Sequence, residues 1–481
     1  MAYDYDIIVA GGGIAGSLAA AAAAKKGAKV LMLDRNDRIN VGKKTNWGWV
    51  CGDAVAKVHI DFIKEHLGMA LDYPELDLKV DGVYVLSPDM KNKMLFEGAG
   101  FSLDRPKIER KFAQFAIKAG VDYKPEHEVE GPILEGETLT GVWGKDQDKK
   151  DFKYTGKIII DALGMASTLR RKLPINEYVE RDVSIDDIES TGRYIYTVDE
   201  LSEDERYYDK KNALIHLNQQ LAPGGYGWVF PKTQNRVNIG IGVERKSLDI
   251  RNTRLSKKDS LHKLIDEYVA WNPVIKPKEV DNTDNNGKGY WSVAVRRQQD
   301  SLVWNNYMGA GDSMAMPNPI SAGGIGPAMT SGILAGEVAG DAIKENKVTM
   351  DYLWKYNVRY NDAYGSKTAG LEVFRIYLQS LDNELINYGM ANFLTKEEAV
   401  QISYGLIPEM TMSGTLMKIM KGVQNINAFN NLRYCVSTMK RLNGLYANYP
   451  KDTKGFKAFK AAVSAEIKDA KARFPPMPIR A

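Results

Sequence analysis

Cysteine and histidine are scarce in this chain, which has 2 cysteines and 5 histidines among 481 residues. The two cysteines, Cys51 and Cys435, are too few for a disulfide scaffold or a cysteine-rich metal site. The histidines stand at positions 59, 66, 127, 216 and 262, and no two of them have the spacing of a metal-binding pair. We therefore expect neither structural disulfides nor a metal centre.

An excess of charge of one sign is also lacking, since 65 Lys and Arg residues face 61 Asp and Glu residues and the formal net charge is +4. A balance this close to neutral, without a block of basic residues, does not favour a nucleic-acid partner. No run of about 20 apolar residues is present, so we expect no membrane-spanning helix. The chain enters its first strand pattern without a charged leader, and we expect a cytoplasmic protein.

A glycine-rich turn near the start is the most informative motif that the sequence does contain. An apolar strand pattern precedes Gly11, Gly13 and Gly16, which have the Gly-x-Gly-x-x-Gly spacing of a dinucleotide-binding turn. An alanine-rich helix follows, and the free N–H groups of its first turn, around Ala15, favour phosphate. The next strand pattern ends at Asp34, which can accept a hydrogen bond from an unphosphorylated adenosine ribose. The alternative is a glycine-rich turn in an ordinary α/β domain.

A second motif, far along the chain, indicates a flavin. Gly311 and Asp312 follow an apolar strand pattern, and Asp312 can accept a hydrogen bond from a ribityl hydroxyl group. The N–H groups of Gly323, Gly324 and Ile325 stand where a long helix of small residues begins. The positive end of a helix stabilises negative charge, which a reduced flavin carries on its pyrimidine ring.

The strand and helix patterns predict an α/β (α+β) protein in which a Rossmann-like nucleotide-binding domain is discontinuous. Alternating strand patterns between about 176 and 300 predict an inserted antiparallel sheet, and the chain beyond 350 is mostly helical. The predicted boundaries are 1–80, 100–175 and 300–345 for the FAD-binding domain, 81–99 and 176–299 for the substrate domain, and 346–481 for the helical region.

The glycine turn, the 308–327 segment and the central Asp161–Arg170 segment together resemble the FAD-dependent monooxygenase-like superfamily of the p-hydroxybenzoate hydroxylase type. The central segment departs from the usual Ala-Asp-Gly, because Leu163 stands where the acid often does. Within that superfamily, Ala222–Pro231 resembles the Tyr-x-Trp-x-Phe-Pro signature of geranylgeranyl reductases. Trp49–Val55 is similar to the Cys-Gly segment of their flavin site.

This resemblance implies one FAD and the saturation of double bonds in geranylgeranyl chains, in archaea on isoprenoid glycerolipids that become membrane phospholipids. It implies that Cys51 and Gly52 lie at the flavin, that Arg105 contacts FAD, and that the backbone of Val129 meets the adenine. From its own sequence context, Arg105 is equally a charge at the start of a surface helix.

Three aromatic residues, Tyr226, Trp228 and Phe230, alternate along a predicted strand and therefore project from one face. Such a stripe is usually part of a core. In this family context we favour an aromatic wall beside the flavin and the isoprenoid chain. The wall would stabilise cationic character on a protonated alkene by about 0.5–2 kcal/mol for each ring.

The cysteines and the remaining histidines are less informative. Cys51 is either a small packed residue or a flavin contact, a proton donor or a redox partner, whereas Cys435 is expected to be packed in a helix. His59, His66 and His262 are expected at solvated helix positions, without a role.

No second dinucleotide motif follows another strand pattern, so stably bound NADPH is not predicted. The electron donor is left open between ferredoxin, a reduced deazaflavin and transiently bound NADPH. Two other functions remain open at this stage. One is an FAD-dependent monooxygenase acting on an apolar substrate, and the other is a prenyl-lipid carrier with a flavoprotein fold.

The last helix pattern, roughly 454–474, carries an apolar stripe and a basic face. The stripe consists of Phe456, Phe459, Val463, Ile467, Ala470 and Phe474. One interpretation is a terminal helix packed on the protein. The other is an interfacial helix whose lysines meet anionic headgroups, which predicts a peripheral protein on the inner face of the cell membrane.

Overall fold

The strands of the protein form two large sheets in a computed structural model, which describes residues 3–40, 50–199, 201, 204–392 and 426–476. In chain order the strands are β1 (Tyr5–Ala10), β2 (Val30–Leu33), β3 (Ala54–Ala56), β4 (Leu76–Leu86), β5 (Lys93–Leu103), β6 (Asp122–Lys124), β7 (His127–Glu135), β8 (Thr138–Asp146), β9 (Asp151–Asp161), β10 (Ile188–Val198), β11 (Asn212–His216), β12 (Tyr226–Lys232), β13 (Arg236–Glu244), β14 (Pro277–Val280), β15 (Lys288–Ala294), β16 (Val303–Trp304) and β17 (Tyr307–Gly309).

The described helices alternate with these strands along the chain and dominate its last quarter. In chain order they are α1 (Ile14–Lys25), α2 (Lys57–Leu67), α3 (Arg105–Lys118), α4 (Thr168–Lys172), α5 (Arg245–Arg254), α6 (Leu261–Trp271), α7 (Ile325–Lys344), α8 (Met350–Leu353), α9 (Lys355–Tyr360), α10 (Ser366–Thr368), α11 (Leu371–Gln379), α12 (Asn383–Asn392), α13 (Ile426–Ala447) and α14 (Phe456–Arg473). None of the helices within the described ranges is both long and apolar enough to cross a membrane.

The first sheet carries the nucleotide-binding unit. Its strand order is β16-β17-β9-β1-β2-β6, and β1 pairs in parallel with β2 and with β9. The meander of β7, β8 and β9 attaches to it through β9. Parallel strands are buried on both faces, which explains why β1 and β2 are apolar almost throughout. The predicted Rossmann-like fold is confirmed.

The second sheet has the strand order β14-β10-β13-β12-β11-β4-β5-β3, with β15 beside β10. Its neighbours are antiparallel except for β11 and β4, which pair in parallel. The prediction of an antiparallel sheet is therefore correct for all but this pair. A parallel pair cannot be joined by a hairpin, and here the connection from β4 to β11 runs through strands of the first sheet. The proposed domain boundaries stay a prediction.

Local signals explain where several elements begin. Helix α3 begins after Asp104, whose side chain accepts a hydrogen bond from the N–H group of Lys107 at 3.3 Å, and Pro106 lies in its first turn. The prediction of a helix at this point is confirmed. Helix α7 begins after Gly324, in the small-residue segment that the sequence identified.

The last helix, α14, corrects one interpretation of the sequence. Its apolar stripe is already buried, since Phe456 is 1% exposed and Val463 is fully buried in a core cluster shared with α11 and α13. The packed-helix interpretation is therefore the one that holds, and the interpretation as an interfacial helix is wrong. An amphipathic pattern reports that one face is buried, and the same pattern results whether protein or lipid covers that face.

Candidate functional site

One cavity of about 1120 Å³ connects the two sheets, and nearly every residue that the sequence singled out lines it. The lining residues among those predicted are Gly11, Gly13, Ala15, Asp34, Cys51, Gly52, Arg105, Val129, Tyr226, Trp228, Phe230, Gly311, Asp312, Gly323, Gly324 and Ile325. Gly16, which was also predicted, does not line the cavity but packs against Gly11, which does. The predicted nucleotide site and the predicted aromatic wall therefore belong to a single space.

The glycine turn has the geometry that its sequence requires. Gly11 has a φ of +100°, and a Cβ atom there would lie 2.2 Å from the carbonyl oxygen of Ala162. A Cβ atom on Gly16 would lie 1.7 Å from the carbonyl oxygen of Gly11, so glycine is needed for the close packing of β1 and α1. At Gly13, by contrast, a Cβ atom would meet nothing within 4 Å in the described structure. The backbone at Gly13 is therefore open toward the cavity.

Asp34 lies at the end of β2, where the sequence predicted an acid for the ribose. Its carboxylate accepts hydrogen bonds from the N–H groups of Gly12 at 2.6 Å and Asn36 at 2.7 Å. Arg38 donates to it at 3.1 Å and also pairs with Glu109 at 2.6 Å. Arg38 also lines the cavity. It was not predicted from the sequence, because a single arginine in a loop belongs to no recognisable motif.

The second glycine segment packs beside the turn, since a Cβ atom on Gly311 would lie 3.2 Å from Cβ of Ala15. Gly311 has a φ of +68°, and the carboxylate of Asp312 lies beside Gly324, where a Cβ atom would be 3.1 Å from Oδ1. Burial raises the pKa of Asp312, against the opposing effect of the Arg105 charge. Arg105 pairs with Glu109 at 2.5 Å. It is thus a cavity residue and not a surface charge.

The central segment, Asp161–Arg170, is held in place mainly by hydrogen bonds to its first residue, Asp161. Asp161 is fully buried and accepts hydrogen bonds from the Ser167 hydroxyl at 2.5 Å, the Tyr307 hydroxyl at 2.8 Å and the Leu163 N–H group at 3.1 Å. These bonds connect β9 to β17 and to the start of α4. Leu163 itself lines the cavity with an apolar side chain.

The aromatic residues of β12 form one face, as the alternation predicted. The ring centroids of Tyr226 and Trp228 are 6.1 Å apart, and those of Trp228 and Phe230 are 6.4 Å apart. Trp228 and Phe230 are buried, whereas Val229 packs in a separate core cluster on the other side of the sheet. The rings therefore pack together and line the cavity at the same time.

The Cys51 segment is held against this face. The side-chain amide of Asn238 donates to the carbonyl oxygen of Cys51 at 2.8 Å and to Asp53 at 3.0 Å. A Cβ atom on Gly52 would lie 2.4 Å from the Phe230 ring, so only glycine allows this approach. Burial raises the pKa of the Cys51 thiol, opposed by the nearby Arg105 charge, so the group is a thiol at neutral pH. Trp49, part of the same sequence motif, lies outside the described residues.

Val129 lies in β7 at the cavity, where the family resemblance placed the adenine. Its carbonyl oxygen accepts a hydrogen bond from the Thr168 hydroxyl at 2.7 Å. Cys435 is fully buried among apolar side chains of α13, as expected.

Two of the histidines correct the sequence expectation. His59 lines the cavity, with Nδ1 3.2 Å from the Thr330 hydroxyl, and its pKa is lowered to about 4 by burial and by Lys367. His66 is half-buried and pairs with Glu337 at 2.8 Å. Neither is solvated, because α2 packs against α7, a contact between segments distant in sequence. His262 is exposed, as predicted.

The sequence also gave no sign of Glu189, a cavity residue on β10 that is only 4% exposed. Burial raises the pKa of its carboxyl group to about 8, with Glu244 adding to this and Arg375 opposing it. The strand that carries it also contains Ser190, Thr191 and Arg193, so its sequence pattern does not distinguish Glu189 from a solvated strand residue.

Comparison with known sequences identifies related flavoproteins, in agreement with the site described above. Residues 187–279 match the model of the geranylgeranyl reductase catalytic domain, and residues 6–171 match that of the FAD dependent oxidoreductases. A digeranylgeranylglycerophospholipid reductase of Sulfolobus acidocaldarius is 31% identical over 452 residues, which cover 93% of this chain and 94% of that protein. The chain belongs to the geranylgeranyl reductase family. A second relative, digeranylgeranylglycerophospholipid reductase 1 of Methanococcoides burtonii, is 29% identical, covering 80% of this chain and 86% of that protein.

Solved structures agree with this family assignment at the level of the fold. A geranylgeranyl bacteriochlorophyll reductase-like protein from Thermoplasma acidophilum has a TM-score of 0.68 at 23% identity, covering 90% of this chain and 99% of that one. The FAD-dependent chondrochloren halogenase of a myxobacterium has a TM-score of 0.61 at 18% identity, covering 84% and 98%.

This geranylgeranyl reductase family member is a flavin-dependent oxidoreductase whose cofactor is FAD, and its cavity fits that cofactor. The open backbone at Gly13 leaves room for a pyrophosphate at the start of α1, which no described side chain caps. Within the described structure, Nε of Arg105 is buried without a hydrogen-bond partner and is free for one from a ligand. FAD would be held by the backbone at Gly13 and the side chain of Arg105, together with Asp34, Asp312 and the start of α7.

Proposed function

We propose that the protein saturates isolated double bonds of geranylgeranyl chains, carried on archaeal-type isoprenoid glycerolipids. The observation that carries this proposal is the continuity of one cavity, from the glycine turn at Gly13 to the aromatic face at Trp228. Reduced FAD supplies a hydride to the prenyl chain when it is bound. The proposal is consistent with relatives that are named digeranylgeranylglycerophospholipid reductases.

In this proposal the aromatic residues of the wall stabilise the positive charge that develops on the alkene. An isolated alkene has no carbonyl group to accept electrons, so protonation must give it cationic character as hydride arrives. The rings of Tyr226, Trp228 and Phe230 offer their negative faces to that charge, and each stabilises it by about 0.5–2 kcal/mol. The buried side chains around them exclude water that would otherwise trap a cation.

The test is anaerobic incubation of purified protein with a geranylgeranyl glycerolipid, with dithionite as the electron source. We expect a product that has gained two hydrogen atoms for each double bond reduced, and mass spectrometry measures this gain in mass. A product that instead gains an oxygen atom, and only in air, would identify a monooxygenase. A protein that binds the lipid but holds no flavin would be a carrier.

For the physiological electron donor, we propose an external protein or small molecule that reduces FAD transiently. Ferredoxin, a reduced deazaflavin and NADPH are the candidates, and the rate of flavin reduction by each under anaerobic conditions distinguishes them.

We propose that the lipid substrate reaches the cavity from an anionic membrane surface, which the protein contacts at the rim of the cavity. Support comes from Val58, an apolar cavity residue of α2 that is 64% exposed. Exposed apolar side chains at the mouth of an apolar cavity favour contact with lipid. Such contact would place the protein on the inner face of the cell membrane.

A further inference from the structure

Glu189 is a buried acid in the wall of the cavity, beside the aromatic face. In the β10–β13 pairing, Glu189 stands opposite Glu244, and Gly242 stands opposite both Thr191 on β10 and Tyr226 on β12. Because Gly242 has no side chain, the Glu189 carboxyl group extends over it, and Oε2 lies 2.9 Å from where a Cβ atom of Gly242 would be. The carboxyl group therefore points along the sheet toward Tyr226.

The Glu189 carboxyl group lacks the contacts that normally stabilise a buried charge. Among the described residues, its Oε2 atom is buried and has no hydrogen-bond partner. A buried carboxylate without a partner is costly, so such a group keeps its proton.

The charges that face Glu189 come from two neighbouring elements. Arg375 on α11 is already paired with Asp187 at 2.7 Å. Glu244 on β13 adds a negative charge, and its oxygens accept hydrogen bonds from the N–H groups of Lys246 and Ser247. On β12, the Tyr226 hydroxyl donates to the carbonyl oxygen of Ser321. The positive charge nearby is thus neutralised by its own partner, and burial keeps the pKa of Glu189 at about 8.

We propose that Glu189 is the catalytic proton donor to the prenyl double bond, an inference that rests on the proposed function. The proton on the Glu189 carboxyl group forms a C–H bond with one alkene carbon as the π bond breaks. The other carbon receives the hydride of reduced FAD. Glu189 is left as a carboxylate and regains its proton from water, so that one proton and one hydride saturate each double bond.

Two other hydroxyl or thiol donors at the cavity are poorer acids. Burial raises the pKa of Tyr226, with Glu189 adding to the shift, and its hydroxyl already donates to Ser321. Burial also raises the pKa of the Cys51 thiol. A carboxylic acid with a pKa near neutral is the better donor, because catalysis by a general acid is most effective when its pKa lies near the working pH.

The test compares Glu189→Gln with Glu279→Gln, since Glu279 on β14 belongs to the same sheet, is exposed and does not line the cavity. FAD content and lipid binding of the purified holoprotein should be unchanged in both variants. Turnover should fall about 100-fold or more in Glu189→Gln and stay at the wild-type level in Glu279→Gln, as expected for loss of a general acid. Wild-type turnover should decline as the pH rises through about 8.

A second measurement follows the proton itself and does not depend on turnover. In oxidised holoprotein labelled with ¹³C-glutamate, the infrared C=O band of a protonated carboxyl group should be present at neutral pH. It should be missing in Glu189→Gln and retained in Glu279→Gln. The label separates it from the buried acids Asp161 and Asp312, whose pKa values burial also raises.

Two results would overturn the proposal. One is wild-type turnover in Glu189→Gln, and the other is a glutamate band that the substitution leaves unchanged. Should Glu189→Gln fail to fold, disappearance of the band as the wild-type protein is titrated through pH 8 supports the proposal, and its absence at neutral pH contradicts it. Product formation by the wild type tests the proposed function separately, so the two failures are distinguishable.

Discussion

The indole N–H group of Trp228 donates a hydrogen bond to Oδ1 of Asn238, 2.9 Å away. The amide group of Asn238 in turn donates to the carbonyl oxygen of Cys51 and to Asp53. The aromatic face and the Cys51 segment are therefore positioned by the same side chain. This arrangement fixes the orientation of the Trp228 ring in the cavity wall.

Replacing Trp228 tests whether the aromatic face acts on the substrate. Trp228→Ala should lower turnover by about 30-fold, the equivalent of ~2 kcal/mol for one cation–π contact, while FAD content is retained. Trp228→Phe should lose less, because it keeps a ring. Activity is measured anaerobically with reduced protein, and flavin by its absorbance. Full activity in Trp228→Ala would mean that the ring only packs.

Gly13→Ala tests the cofactor cradle. A methyl group at this position meets no described protein atom within 4 Å. The free energy of unfolding of the apoprotein should therefore stay within about 0.5 kcal/mol of the wild-type value. The methyl group would enter the space assigned to the pyrophosphate, and FAD affinity should fall at least about tenfold, ~1.4 kcal/mol. Titration of apoprotein with FAD measures this. Gly389→Ala, at another open glycine in α12, should leave FAD affinity unchanged.

His216 should make the stability of the protein depend on pH. It is 2% exposed, its ring nitrogens contact the Tyr268 hydroxyl and the carbonyl oxygen of Arg206, and burial lowers its pKa from 6.5 to about 4. Between these two pH values the unfolded chain binds a proton that the folded protein does not. The stabilising contribution is thus present above pH 6.5 and lost as the pH falls toward 4, by up to about 3 kcal/mol.

Urea denaturation at pH 7 and pH 5 measures this difference. His216→Gln should reduce the dependence of the free energy of unfolding on pH and leave the part that comes from the lowered pKa of His59. His262→Gln, at an exposed position, should leave the dependence unchanged. Identical slopes for the wild type and His216→Gln would show that His216 does not carry the effect.

Val58→Glu tests the proposed membrane contact. The variant should bind less to anionic phosphatidylglycerol vesicles than the wild type in a co-sedimentation assay, because a charge replaces an exposed apolar side chain at the cavity mouth. Ile175→Glu is the matched control, since Ile175 is 89% exposed but does not line the cavity. Equal binding by Val58→Glu and the wild type would place membrane contact elsewhere.

The nucleotide-binding unit was predictable because its signals are local. Gly11, Gly13 and Gly16 lie in one turn, and Asp34 ends the next strand, so spacing along the chain determines how they meet. The alternation of Tyr226, Trp228 and Phe230 likewise fixes a shared face within one strand.

The contacts of Glu189 and His59 were not predictable, because they depend on pairing between distant segments. Glu189 extends over Gly242 only in the register of β10 and β13, and the ring of His59 fills the space beside Gly326, where a Cβ atom would lie 2.2 Å away. The stripe of α14 shows the same limit, since its periodicity could not tell whether protein or lipid covers it.

The most direct test of flavin-dependent reduction of the prenyl chain is a single turnover under anaerobic conditions. Protein with dithionite-reduced FAD, freed of excess dithionite, is mixed with a geranylgeranyl glycerolipid, and the flavin absorbance is followed. The oxidised flavin spectrum should return without oxygen, and one double bond should be saturated for each flavin oxidised. A flavin that stays reduced in the presence of the lipid until oxygen is admitted would contradict reduction of the prenyl chain by FAD.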